Sequence, residues 1–130
     1  MKQIYKLIKG ETMQEFMLFI KTKGDHLEGL SPEQQQAHVQ KIGNYIGGLM
    51  KDGKLKSAQP LDMAGATIHG NKGVFKDGPF NESKEVIVGY FHILAENLDE
   101  AVEIAKANPV FEDTEATIEI RPIKQMAGIN

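Results

Sequence analysis

The chain contains no cysteine in its 130 residues. Disulfides, thiolate metal centres and a cysteine nucleophile are thereby excluded, which fits a reducing compartment. Positive charge is also in short supply: 15 Lys and Arg stand against 18 Asp and Glu, for a formal net charge of −3. A broad nucleic-acid surface depends on many Lys and Arg neutralising phosphates, so no nucleic-acid partner is expected. Long apolar runs are missing too, and no window approaches the roughly 20 residues needed to span a bilayer. Lys2, Lys6 and Lys9 precede no apolar core of signal-peptide length. The expectation is a cytoplasmic protein with no membrane association.

Metal and cofactor signatures are absent as well. His26, His38, His69 and His92 show no ligand spacing such as His-Glu-x-x-His, and no phosphate-binding loop is present. Gly65 to Gly73 reads as a hairpin turn rather than a cofactor loop. No metal and no cofactor are therefore expected. Neither internal repeats nor low-complexity segments are found.

What remains is ordinary globular composition, with 41% hydrophobic and 25% charged residues. A chain of this size can bury a core as one domain without staples. Glu15 to Lys21, apolar on both alternating faces, predicts a central strand. Ser31, Pro32 and Gln34 supply an N-cap, a first-turn proline and a capping-box partner for a helix. In that helix Val39, Ile42, Ile46, Leu49 and Met50 share one face, predicted as core. Gly43, Gly47 and Gly48 are costly in a helix interior, and close packing of another backbone would explain them. Asp52 and Gly53 end the helix.

Lys54 to Gln59 predicts an edge strand stopped by Pro60. Ala66 to His69 and Val74 to Lys76 flank Gly70, Asn71, Lys72 and Gly73 as a small hairpin. Lys84 to Ala95 forms the longest strand. Asn97 and Glu100 cap a second helix carrying Leu98, Ala101, Val102 and Ala105, which ends at Asn108 and Pro109. Ala116 to Ile123 closes the chain as a strand. Without the hairpin, the order is strand, helix, strand, strand, helix, strand. The fold expected is α+β, a ferredoxin-like antiparallel sheet with both helices on one face.

The long strand carries a further expectation. By parity Ile87, Gly89, Phe91, Ile93 and Ala95 line one side and Val86, Val88, Tyr90, His92 and Leu94 the other. Two helices cover one side only, so Val86, Val88, Leu94, Met17 and Phe19 would face water. Burying each favours association by roughly 1–2 kcal/mol, so a homodimer joined sheet to sheet is predicted.

Asp77, Gly78, Pro79 and Phe80 make a tight turn, followed by Glu82, Lys84 and Glu85. With Gly89 and Tyr90, with Leu98, Asp99, Glu100 and Ala101, with Pro109, and with Ile118 to Pro122, they form a specific set. Ser31, Pro32, Glu33, His38, Lys41, Ile46 to Leu49, Gly53 to Leu55, Gln59 and Pro60 add to it. Together these residues resemble the DGPF, or YCII-related, family of small bacterial proteins. The resemblance covers about Met13 to Ile123, leaving residues 1–12 as an N-terminal extension and 124–130 as a C-terminal tail. It implies a dimeric α+β barrel, in a fold group that includes lyases and isomerases. It also implies a second possibility, regulatory partnership with alternative sigma factors. Tyr45 stands where a tryptophan is expected in close relatives, and Asn44 where a bulky residue or alanine is commoner. The helix histidine that related proteins pair with an acid corresponds to Ile42 here, so that dyad does not transfer directly.

His38 lies about 40° from Ile42 and about 20° from Tyr45 on the helical wheel at 100° per residue. It suits acid–base work near neutrality, or is a structural histidine bonded to Tyr45 or backbone. Asp62 is the acid that would orient it; alternatively it is a turn residue. Asp77 either accepts turn amides or joins a site. Lys84, Tyr90 and His92 share a strand face, and Glu119 and Arg121 share a face of the closing strand. The catalytic candidates are therefore His38 and Asp62. The ligand-binding candidates are Tyr45, Asp77, Lys84, Tyr90, His92 and Arg121, for a small anionic or aromatic ligand. An interstrand ion-pair cluster is the competing reading of the charged residues. The leading functional expectation is a homodimer whose small-molecule pocket supports acid–base, lyase-like or isomerase-like chemistry. The alternatives are a non-enzymatic regulatory or interaction protein and a metabolite-binding protein without turnover; whether the chain is an enzyme stays open.

Overall fold

The computed structural model describes residues 13–78 and 85–130. Residues 1–12 and 79–84 lie outside it, so Lys84 and the Pro79-Phe80 half of the turn motif receive no structural account. The elements in chain order are β1 (Gln14–Lys23), α1 (Pro32–Lys51), β2 (Leu55–Pro60), β3 (Thr67–Asn71), β4 (Val74–Gly78), β5 (Glu85–Ala95), α2 (Leu98–Lys106), α3 (Val110–Asp113) and β6 (Thr117–Pro122).

Four strands form one antiparallel sheet in the order β2-β5-β1-β6, with β5 and β1 central. This mixed α+β arrangement is compatible with a ferredoxin-like fold. β3 and β4 pair only with each other, as a separate two-stranded hairpin. Its turn holds Lys72 at φ 51° and Gly73 at φ 86°, the left-handed pair that a two-residue hairpin loop requires.

The capping signals are realised. Ser31 Oγ accepts from the Gln34 amide at 3.1 Å, and Gln34 Oε1 accepts from the Ser31 amide at 2.9 Å. At the other end Gly53, at φ 70°, lets the Lys54 amide reach the Leu49 carbonyl at 2.9 Å, closing the last turn of α1. Asn97 Oδ1 caps α2 by accepting from the Glu100 amide at 2.9 Å.

The core lies between the sheet and the helices. Phe16, Leu18 and Ile20 of β1 pack with Phe91, Ile93 and Ala95 of β5, and Leu49, Ala101, Ala105 and Val110 close over them. The buried arc of α1 is narrower than its apolar stripe: Tyr45, Ile46 and Leu49 turn inward, while Val39 and Met50 are 64% and 63% exposed. At 100° per residue those two stand roughly 60–80° round the helix from Ile42, at the rim of a single sheet contact. The helix glycines occupy open space as well. A Cβ built on Gly43, Gly47 or Gly48 meets nothing within 4 Å, so close packing of a backbone does not account for them within one chain.

Strand parity also needs a correction. Ile20 pairs with Gly89 but Lys21 pairs with Ile87, so Val88 is the extra residue of a bulge. Beyond it the faces exchange: Val86 pairs with the buried Thr22, Val88 packs against the core, and Ile87 joins Lys21 on the opposite face. The face on which no described helix packs therefore carries Met17, Phe19, Ile87 and Tyr90 rather than Val86 and Val88, and Leu94, expected to face water, is buried.

Candidate functional site

Beneath α1 the bulge, the β1–α1 loop and the chain after β2 enclose a cavity of about 460 Å³. Its walls are mainly apolar, with Ile20, Ile42, Ile46, Val88 and Phe91 among them, and its polar border is made by Asp25, His26, His38, Gln59, Asp62 and Asn108. Gly89 sits in a tight place: a Cβ on it would stand 3.1 Å from the Gln59 carbonyl oxygen of the paired strand β2.

The loop that brings His26 to the cavity is held at both ends. Thr22, 1% exposed, donates to the Gly24 carbonyl at 2.7 Å. Asp25 Oδ1 accepts from the Leu27 amide at 2.9 Å, and Gln35 Nε2 of α1 donates to the Leu27 and Leu30 carbonyls at 3.3 Å each. His26 and His38 meet edge to face, with ring centres 5.2 Å apart.

His38 Nδ1 lies 2.5 Å from Asp113 Oδ2, and Lys41, one turn along the same helix, donates from Nζ to Asp113 Oδ1 at 3.2 Å. The hydrogen bond from His38 holds the Asp113 carboxyl below its ordinary range; burial opposes it, and Lys41 adds to the lowering. A carboxylate only accepts, so Nδ1 carries the hydrogen, and the Nδ1–H tautomer has its lone pair on Nε2. Nε2 has no hydrogen-bond partner among the described residues. Asp113 reaches this place because buried Asn108 accepts from the Val110 amide at 2.9 Å and starts the short α3. His26 differs in kind: both its ring nitrogens are buried without a partner, and burial, followed by His38, lowers its pKa.

The residues singled out in the sequence are scattered by the fold. His38 and Asp62 both border the cavity, but the carboxylate bonded to His38 is Asp113. Tyr45 lies off the cavity, its hydroxyl donating to the Ile104 carbonyl at 2.5 Å and its ring edge against Phe91. Burial pushes that phenol up to about 12. Tyr90, His92 and Arg121 sit on the opposite sheet face. There His92 Nε2 and Lys56 Nζ meet Glu15 Oε1 at 2.8 and 2.9 Å, while Arg121 and Lys21 bond Glu119. Asp77 is in the hairpin opposite Ile68. His26, Asp25 and Asp113 have no sequence motif to mark them, because a loop and a four-residue helix have no periodicity to read; Lys41 belongs to the family set, but nothing local pairs it with Asp113.

The sequence pattern of the YCII-related domain matches residues 14–127. The chain belongs to the YCII-related domain family. No curated protein matches it, so membership of the YCII-related family brings a fold and a description, and the chemistry has to be argued from the site. Among the described residues of this YCII-related chain, no three His, Cys, Asp or Glu side chains are grouped to hold a metal ion, and no helix is long and apolar enough to cross a membrane.

Proposed function

We propose that this YCII-related protein is a homodimer whose cavity holds a small unsaturated molecule, with His38 moving a proton and Asp113 orienting it. The observation that carries this reading is the 2.5 Å His38–Asp113 contact beside an apolar cavity, with Nε2 left unpartnered. With Nδ1–H donated to Asp113, Nε2 is the base. It accepts a proton from a carbon or oxygen acid, the imidazolium formed is stabilised by the adjacent carboxylate, and the same Nε2 returns the proton to another atom of the substrate. Such a transfer is worth about 10²–10⁴-fold in rate.

The test is proton exchange into an enolisable ring ketone such as 2-tetralone, followed by NMR in deuterium oxide. The intact protein should accelerate exchange over matched buffer, and His38→Gln should remove the acceleration while melting within about 1 kcal/mol of the parent. Equal rates with both proteins would sink the proposal.

The dimer is supported by the uncovered face of the sheet, where Met17, Phe19 and Tyr90 are half-buried and Ile87 is exposed. One observation favours a different reading, an interaction protein. The hairpin exposes Ile68, Val74 and Phe75 by 66–70%, and an isolated two-stranded hairpin is marginal in water. Affinity capture from cell extract that recovers only the chain itself counts against that alternative.

A further inference from the structure

The cavity border discriminates by charge. Of the described residues that form it, the acidic ones are Asp25 and Asp62, and no Lys or Arg is among them. Lys41 is engaged with Asp113, and Arg121, on the far face of the sheet, bonds Glu119. An anion entering the cavity would meet the exposed carboxylates of Asp25 and Asp62 with no Lys or Arg among the lining residues. Hydrogen-bonding capacity is nevertheless present. His38 Nε2 has no hydrogen-bond partner among the described residues, whereas both nitrogens of His26 are shut off from the cavity by burial. With Nδ1–H given to Asp113, His38 offers an acceptor at Nε2, which a hydroxyl can match by donating without bringing a charge.

We infer that the cavity selects an uncharged, largely apolar molecule whose hydroxyl is directed at His38 Nε2, and that Asp25 and Asp62 reject carboxylates. The anionic ligand expected from sequence is thus disfavoured in this cavity, and the neutral, ring-bearing one is retained. The inference rests on the cavity being the small-molecule site proposed above, but not on His38 transferring a proton.

Two probes with the same apolar body separate the cases: 2-naphthalenemethanol and 2-naphthoate, titrated into the full chain at neutral pH with amide NMR as the readout. The alcohol should perturb the amides of Ile42, Val88 and Gly89, and the acid should bind at least about tenfold more weakly. Asp62→Asn, an exposed site whose side chain makes no hydrogen bond among the described residues, should narrow that gap. Equal or tighter binding of the acid by the parent protein overturns the inference, as does failure of both probes to perturb those amides up to about 1 mM. If 2-tetralone exchange fails while the alcohol still outbinds the acid, the proton-transfer reading falls and this one stands. Intact exchange with the reverse order overturns this one alone.

Discussion

His38 on α1 and Asp113 at the end of α3 are 75 residues apart in the chain and 2.5 Å apart in space. An α-helix and a four-residue helix from opposite ends of the fold converge there, with Lys41 on the second carboxylate oxygen. Asp113→Asn keeps the shape and removes the charge that fixes the His38 tautomer. It should slow ketone exchange by about 10²-fold. The Asp113 carboxyl is depressed in the folded chain, so its stabilising contribution is present above the unfolded carboxyl range and is lost as pH falls through the folded one. Thermal melts across the acid range should therefore show a steeper decline for the parent than for Asp113→Asn; parallel curves would refute the linkage.

His26 behaves in the opposite chemical sense with the same direction in pH. Burial, together with nearby His38, holds it neutral, only partly offset by Asp25 and Asp113. The unfolded chain takes up a proton that the folded chain resists, so this part of stability is complete above about pH 6.5 and declines below it. His26→Phe removes two unsatisfied buried nitrogens and should stabilise by roughly 1 kcal/mol while flattening the melt between neutral and mildly acid pH. A large fall in melting temperature would show that the nitrogens have partners.

Tyr45 joins the two long helices through one hydrogen bond. Tyr45→Phe leaves the ring against Phe91 and removes one of two donors to the Ile104 carbonyl, which keeps the Ala107 amide at 3.2 Å. Chemical denaturation should register a loss of about 1 kcal/mol, against roughly 3–5 kcal/mol for Tyr45→Ala, which also opens a cavity.

Gly47 has helical neighbours and nothing within 4 Å of a built Cβ. Gly47→Ala should raise stability by about 0.8–1 kcal/mol. A loss of stability or of self-association would mean that another chain approaches this glycine.

The open sheet face tests the dimer. Phe19→Lys puts a charge among Met17, Tyr90 and the ion pairs around Glu119, and light scattering should change from dimer to monomer. An unchanged mass for the variant, or a monomeric parent at micromolar concentration, argues against sheet-to-sheet association.

Local chemistry made much of this protein legible in its sequence. The capping box at Ser31, the left-handed Gly53, the Asn97 cap and the alternation along β1 each act within a few residues, so composition and spacing determine them. Family membership was legible for the same reason, through short motifs spread along most of the chain. The charged strand residues Glu82, Glu119, Arg121 and Lys84 read in the sequence as an interstrand ion-pair cluster; Glu119 pairs with Arg121 and with Lys21, and Glu82 and Lys84 lie outside the described residues.

Long-range placement was decided only by the tertiary structure. The bulge at Val88 arises from pairing β5 against β1, and a single inserted residue moves Val86 and Val88 to the helix side. The inward arc of α1 depends on where the sheet meets it, which left Val39 and Met50 outside. The site depends most on this. His26 and Asp113 carry no motif, and their meeting with His38 follows from the loop after β1, the α1 helix and the Asn108-capped turn packing around one cavity. Sequence determined which local elements form and named His38; three-dimensional packing determined that Asp113 is the carboxylate bonded to it, because side-chain contacts across 75 residues have no local energetic signature.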